Sequence, residues 1–408
     1  MNRAVLVLLS LLAGPLQAAV PDFSWVPAAP KMPPPTGQII RVATVDGLFE
    51  AARKVQPGGT ILLADGRYRM PHYFEIHTDN VTVRSESGNR DRVVLDGSRS
   101  DHVELFGISR CSGVVIADLT IENIRANGFK INSDLGATRV TIRNCVIHNI
   151  WERGVKGPAV PKERRETGRP TACVIEHCLF YNDRAKQFSD DPADSAQSFG
   201  GNYVGGIDAM HARAWIIRDN VFWGIQGRTR EARGAVFLWH EATDCIVERN
   251  VMVDCDSGIC LGNSYRGPET KIHAIGCLVR NNFVVRCPEN GILADYTRDC
   301  KIVHNTIHDP KSRFGRLIRL VHDNDGLLVA NNLLSGPDIR LETASPVVRR
   351  NNLARVLTDA FVDPAGGNLH LREPVAGVAA AAEALPDAPE DIDGQPRTGR
   401  VDLGADQR

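Results

Sequence analysis

The sequence predicts an all-β fold, a parallel β-helix solenoid with a capping helix at its N-terminal end, on three observations. A short frame of an apolar doublet and two or three polar residues closes on Asn220, Asn250, Asn282, Asn305, Asn331 and Asn351, in steps of 30, 32, 23, 26 and 20 residues. Each frame is followed by a second short apolar run, such as Val251-Met252-Val253, and often by a third that opens on glycine, such as Gly258-Ile259-Cys260-Leu261. The runs are too short and too rich in β-branched residues for a helical repeat. A constant frame with variable spacers is the mark of a solenoid that takes up insertions in loops. Three short strands per turn, joined at polar corners, give a β-helix whose coils stack roughly 4.8 Å apart.

The elements follow in order. Met1-Asn2-Arg3, the apolar run Ala4 to Leu12 and the small-residue end Leu16-Gln17-Ala18 read as a cleaved signal peptide over residues 1–18. No later stretch reaches the roughly 18 apolar residues of a membrane span, so a periplasmic or secreted protein with no membrane anchor is expected. Residues 19–38 form an N-terminal extension. Val45, Leu48, Phe49, Ala52 and Val55 then share one helical face that stops at Pro57-Gly58-Gly59, a plug for the open end of a β-helix. The solenoid is assigned to 39–375 and a tail or cap to 376–408. Toward the N-terminus Cys178, Cys145 and Asp118 take the asparagine position, giving nine rungs. Buried asparagines at such a corner can hydrogen-bond up and down the stack.

Length and charge exclude little. A chain of 408 residues usually means several domains, but a solenoid grows by addition and fits one. Lys and Arg number 48 against 49 Asp and Glu, so net charge alone names no partner. Ten cysteines in an exported protein suggest disulfides. Here, however, Cys173, Cys245, Cys277 and Cys300 each precede a rung by five residues, and Cys255 and Cys287 follow theirs by five, which describes stacked columns of small buried residues. Without a CxxC pair or histidines at ligand spacing, the sequence shows no metal motif. No glycine-rich loop joins a strand to a helix, so no nucleotide cofactor is expected.

The segment from Val45 through Thr60-Ile61-Leu62-Leu63-Ala64-Asp65-Gly66-Arg67-Tyr68 is similar to the N-terminal cap of pectate-lyase-like β-helix proteins, which include polysaccharide lyases of the chondroitinase B and alginate lyase type. Asp391-Ile392-Asp393-Gly394-Gln395-Pro396-Arg397 and Val401-Asp402-Leu403-Gly404-Ala405 resemble a closing signature of bacterial proteins of this kind. The resemblance covers about residues 39–405 and implies a single-stranded right-handed parallel β-helix. It is silent on the reaction, because that superfamily holds lyases, hydrolases, epimerases and binding proteins.

Alignment of the glycine-led strands places Gly128-Phe129-Lys130, Gly154-Val155-Lys156 and Gly206-Ile207-Asp208 in register, so that Lys130, Lys156 and Asp208 point outward from successive coils. His211 and His240 fall in one column, continued by Asn263, Tyr296 and His322, while His273, His304 and His308 find no partners. The longest spacers, 157–170, 183–205 and 224–234, lie beside this face, where long connections tend to carry function. They bring a local excess of arginine and lysine, with Trp151, Trp223 and Trp239 as platforms for sugar rings. An acidic polysaccharide is therefore the expected partner rather than nucleic acid, and the protein is expected to be a monomer.

β-Elimination from a uronate needs a neutralised carboxylate, a base for the C5 proton and an acid for the leaving oxygen. The expected roles are Lys156 or His240 as base, Lys130 and Arg233 on the carboxylate and His211 at the leaving oxygen, with Arg153, Asp208, Arg213, Arg228, Trp239 and Glu241 binding substrate. The resemblance implies that calcium can assist, and Asp190, Asp191 and Asp194, with Asp208, are oxygen ligands of the required kind. A glycoside hydrolase would instead need facing carboxylates, Asp208 with Glu241 or Asp254 with Asp256. A C5 epimerase and a non-catalytic carbohydrate-binding β-helix complete the alternatives.

Overall fold

The structure is a computed structural model that describes residues 22–408; the expected signal peptide lies outside the described residues. Strands recur three to a coil, as in Ile246–Glu248, Val251–Val253 and Ser257–Leu261. Stacking coils aligns them into three long sheets of 12, 11 and 12 strands, with parallel pairing throughout, for example Ile246 beside Leu278, Val251 beside Phe283 and Ile259 beside Ile292. Inward side chains form one continuous core, including the stacks Phe74, Phe106, Phe129 and Phe180, Phe222. All ten cysteines are buried and reduced.

The asparagine ladder is real but one position off at both ends. It runs through Asn220, Asn250, Asn282, Asn305, Asn332 and Asn352, each Nδ2 donating to the next Oδ1 at 2.9–3.0 Å. Each Oδ1 also accepts the backbone N–H of the rung before it, beginning with Cys178. Asn331 and Asn351, expected as rungs, are the preceding corner residues with φ of 58° and 53°. Asp118 is likewise a corner with φ 58°, and Leu119 takes its rung. Asparagine and aspartate tolerate the left-handed region best, so the sequence offers two neighbouring polar positions per coil and the doublets are ambiguous.

The N-terminal plug is as expected. Helix Val45–Lys54 is capped by Thr44, which accepts from Gly47 N–H, and it buries Leu48 and Ala51 against the first coil. At the other end the chain departs from expectation. The last coil ends near Ala354 with Arg340–Glu342 and Val348–Arg350 exposed throughout, and residues 376–408 do not close it. They fold back along the flank instead. Phe361, Leu369, Leu371, Val378, Val401 and Leu403 pack on the outward residues Val251, Val253, Phe283, Val285 and Leu333 of the second sheet, joined by Phe23 and Trp25 of the extension. Leu385 and Ala388 cover Val303 and Ala330 on the first sheet. A stripe of outward Val and Phe needs such a cover, whereas the end of the coil needs only polar strands.

Candidate functional site

The third sheet presents the expected register: Lys130 pairs with Lys156, Lys156 with Asp208 and Asp208 with Phe237. The side chains do not form an open catalytic row. Lys130 reaches back to Glu104 at 2.9 Å. Asp208 is fully buried, accepting from Arg153 Nε at 2.7 Å and Trp239 Nε1 at 2.9 Å, with Lys156 Nζ 3.0 Å away. Burial alone would raise its pKa, but Lys156 and Arg153 outweigh it and hold the carboxyl at about 2. Arg153 is 1% exposed and lies against the Tyr203 ring, and Lys156 is 7% exposed. Two cations on one carboxylate leave an excess positive charge enclosed, with Arg153 Nη2 and Lys156 Nζ lacking an aligned acceptor. Lys156 is thus a partner of Asp208 rather than an available base, a correction to the expected roles of Lys156, Lys130 and Arg153.

The histidine column is longer than expected and mostly closed. Rings of His211, His240, His273, Tyr296 and His322 follow one another at centroid distances of 6.0, 5.4, 6.2 and 4.6 Å, with Trp239 4.0 Å from His240. His273, expected to stand without a partner, is central to it. His211 Nδ1 accepts from Val160 N–H and His273 Nδ1 from His240 N–H. A backbone donor on Nδ1 fixes the proton on Nε2, so both rings are neutral donors and neither Nε2 offers a lone pair. Burial depresses their pKa values to about 3 and about 4, helped at His211 by Arg165 and His240 and at His273 by His240. At 1% exposure His211 does not reach a leaving group. His240 is half-buried, its Nδ1 2.5 Å from Thr270 Oγ1, and burial lowers its pKa too.

The long loops shield this face. Arg169 pairs with Glu241, just past the strand Gly234–Trp239, and Arg165 with Glu269, which ties loop 157–170 to the third sheet and to the segment 262–273. Within 183–205, Lys186 is 0% exposed, bound to Asp191 at 3.1 Å and Asp194 at 3.0 Å, while Arg184 clamps Asp190 with two bonds of 2.7 Å. A calcium ion would have to displace an ammonium already seated between the carboxylates, and Asp208 belongs to a different cluster, so these residues do not fit the ion. Arg228 lies over Phe188 and donates to Gly200 O, bracing the same loop, and Arg184 covers Trp151. Trp223 packs in the flank cluster. Arg213 is exposed beyond the shielding loop, its backbone bridging Thr171 and Thr243.

The open surface lies further along the sheet, beside coils the sequence reading left unused. Two clefts of about 750 and 470 Å³ share Glu231 and Glu289. The second has an apolar floor of Phe237, Cys260 and Leu293 and a rim that includes Arg233, Tyr265, Arg316 and Arg319. Arg233 is exposed and makes no ion pair among the described residues. In its wall the buried Asp295 accepts from His322 Nδ1 at 2.8 Å and from Ser264 Oγ at 3.1 Å. His322, 40% exposed at its side chain, thereby directs Nε2 away from the carboxylate. Its ring stacks at 3° on Tyr296, and the exposed guanidinium of Arg266 also lies over the tyrosine ring, 4.1 Å from the centroid. The carboxylate pairs of a hydrolase are occupied: Asp254 chelates Arg286, Asp256 accepts the N–H groups of Gly227 and Ala232, and Asp208 and Glu241 are held as above. The column position of Tyr296 and His322 was legible; Asp295, Ser264 and Arg266 come from a bulged strand and an irregular loop that no repeat frame aligns.

Comparison with known proteins bears on the fold. The family model described as periplasmic copper-binding protein (NosD) matches residues 198–344, a little over a third of the chain. No curated protein matches by sequence. The solved structure of pectate lyase Pel9A superposes over 87% of this chain and 89% of its own at 12% identity, with a TM-score of 0.54. An alginate lyase from Paenibacillus sp. str. FPU-7 matches 76% of this chain and 99% of its own at 12% identity and a TM-score of 0.46. PfbA, a surface adhesin of Streptococcus pneumoniae, matches 79% and 92% at 14% and 0.46. The likeness to the pectate lyase is one of architecture, and with the three parallel sheets it shows the fold of this chain, a right-handed parallel β-helix.

Proposed function

We propose that the protein is an exported carbohydrate-active enzyme that cleaves an acidic, uronate-containing polysaccharide by β-elimination, with the reaction at His322. The observation that carries this reading is the exposed His322, oriented by buried Asp295, beside Tyr296 and the uncommitted cation Arg266 at the edge of an open cleft. Nδ1–H bonded to a carboxylate leaves Nε2 with the lone pair, the arrangement of an oriented general base. Nε2 takes the C5 proton, Arg266 neutralises the uronate carboxylate so that the resulting carbanion is stabilised, and the electron pair forms the C4=C5 bond as the C4–O bond breaks. The Tyr296 hydroxyl supplies the proton to the departing oxygen, and the proton taken by His322 passes through water to the tyrosinate, which restores both groups for the next turnover.

Arg233 on the rim of the cleft, with no ion pair among the described residues, suits an acidic unit of a chain, and the apolar floor suits sugar faces. The pattern of residues 1–18 supports a periplasmic or extracellular place of action. The carboxylate pairs named for a hydrolase, Asp208 with Glu241 and Asp254 with Asp256, are already committed to protein partners.

The test is to follow the ultraviolet absorbance of the unsaturated product with pectate, alginate, glycosaminoglycan and other uronate polysaccharides. Wild-type activity on one of them, reduced at least a hundredfold in His322→Gln and untouched in His211→Gln, is the expected result. New reducing ends without the absorbance would replace elimination by hydrolysis, and equal activity in His322→Gln would remove His322 from the reaction.

A further inference from the structure

The C-terminal tail gathers a second constellation, far from the cleft. His370 lies on the strand Asn368–Leu371, Asp393 in the turn after Asp391 and Asp406 three residues from the end of the sequence. One ligating atom from each, the imidazole nitrogen and two carboxylate oxygens, lies within 4.8 Å of the others. No spacing rule joins these positions, so the sequence reading found no metal motif there.

Three observations bear on what the trio holds. First, His370 Nδ1 sits 2.7 Å from Asn368 Oδ1, an oxygen that can only accept, so Nδ1 carries a proton. In the neutral ring Nε2 is then the lone-pair atom, and an outer hydrogen bond of this kind is what orients metal-bound histidines. Second, Nε2 is closed to solvent and 3.0 Å from Asp393 Oδ2, but off the line of a hydrogen bond. Two ligands of one tetrahedral ion with bonds near 2.0–2.1 Å stand about 3.3 Å apart and need no such alignment. Third, three carboxylates of this segment are buried together. Asp391, Asp402 and Asp406 are 0, 3 and 6% exposed, and no Lys or Arg forms an ion pair with them or with Asp393 among the described residues. The nearby guanidinium of Arg397 donates instead to Glu390 O, Gly404 O, Ala405 O and Asn281 Oδ1. Asp406 and Asp391 are positioned by backbone N–H groups, Asp406 by Leu371 at 2.7 Å and Asp391 by Asp393 and Gln395.

We propose that His370, Asp393 and Asp406 bind one first-row divalent transition-metal ion, with zinc as the type, and that this ion fastens the hairpin at 361–371 to the closing segment 391–406. The mixed nitrogen and oxygen set favours such an ion over calcium or magnesium, which take oxygen ligands. Edge-on packing of Trp25 and Phe283 against the imidazole at 5.6 and 5.0 Å places the site under the N-terminal extension as well, so the ion links both ends of the chain to the flank of the solenoid.

The experiment uses the full mature chain, stripped with chelator and titrated with zinc sulfate by calorimetry, with metal per chain counted by mass spectrometry and melting followed in parallel. Cobalt(II) serves as a spectroscopic substitute. The expected result is one ion per chain, a raised melting temperature and a visible cobalt spectrum of low coordination number. Asp393→Asn, at a partly exposed side chain, should weaken zinc at least tenfold while the stripped protein keeps its melting temperature. His240→Gln, on the other histidine cluster, should bind as wild type. Absence of stoichiometric zinc in wild type, full affinity in Asp393→Asn, or loss in His240→Gln would each overturn the assignment; the first would leave an imidazolium paired to Asp393.

Discussion

Asp208→Ala is the sharpest perturbation of the third sheet, because the carboxylate it removes is the single anion bound to two enclosed cations. Arg153 Nε donates to it at 2.7 Å, Lys156 Nζ lies at 3.0 Å and Trp239 Nε1 donates at 2.9 Å. Removing one partner of a buried ion pair costs about 3–5 kcal/mol, since the remaining charge loses its compensation. The orphaned indole N–H adds about 1 kcal/mol, giving about 4–6 kcal/mol. Lys156→Met is the contrast. It leaves the Arg153–Asp208 pair intact and removes the excess positive charge, so it should change stability by no more than about 1 kcal/mol in either direction. Both are read by urea unfolding, with the slope checked to confirm that the transition stays cooperative. The wild-type pH profile supplies an independent figure. A carboxyl held at about 2 against 3.8 contributes about 2 kcal/mol at 1.36 kcal/mol per pH unit. That contribution is fully present above pH 3.8 and is lost as pH falls toward 2. A loss below about 1.5 kcal/mol in Asp208→Ala, or an equal loss in Lys156→Met, would refute the reasoning that the carboxylate compensates both cations.

Three further outcomes are expected. Asn250→Ala leaves Asn220 N–H and Nδ2, Ile217 O and Asn282 Oδ1 without their mid-ladder partner and should cost about 3–4 kcal/mol, while Asn352→Ala, at the end of the ladder and part-buried, should cost about 1 kcal/mol; equal losses in urea unfolding would argue against a cumulative ladder. His211, His273 and His304 have pKa values lowered to about 3, 4 and 3, chiefly by burial. The unfolded chain binds protons that these rings refuse, so stability should fall as pH drops from 6.5 toward 4, and His273→Asn should flatten the slope by about 1.4 kcal/mol per pH unit. Lys186→Met uncovers Asp191 and Asp194 within 183–205 and should make that loop the first site of limited proteolysis, with a stability loss of about 3–5 kcal/mol; a wild-type digestion pattern would show that the ammonium does not hold the loop.

What was legible in the sequence is what a stacked repeat enforces. The pairing of Lys130 with Lys156 and of Lys156 with Asp208 follows from counting residues from a glycine, because strand register has a period of two and the inward positions are strongly apolar. The same counting slipped by one at Asn331, Asn351 and Asp118, where corner and rung are adjacent and both suit asparagine or aspartate. Direction from the sheet was legible, but accessibility was not. Lys156 and His211 do lie on the outer face, yet loops 157–170 and 183–205 roof it through single contacts such as Val160 N–H on His211 and the Tyr203 ring on Arg153. Charge counting in those loops missed this, since the arginines that suggested an acidic ligand are spent on Glu241, Glu269 and Asp190. His322 and Tyr296 stood in the expected column, but their importance depends on Asp295 and Arg266, whose places are set by a bulge and a loop outside the repeat.

The returning tail has a consequence for how the molecule is assembled. Coils can stack from the N-terminal plug as the chain lengthens, each on the one before, with no need of distant sequence. The flank of the second sheet is different: Val251, Val253 and Phe283 wait for most of their cover until residues 361–405 arrive, about 80 to 150 positions later. A half-finished chain is therefore already a well-formed rod with an adhesive stripe down one side. Stop codons near the end of the reading frame should yield particles that are folded by circular dichroism yet self-associate, and the last few dozen residues act as a built-in chaperone for the coils that precede them.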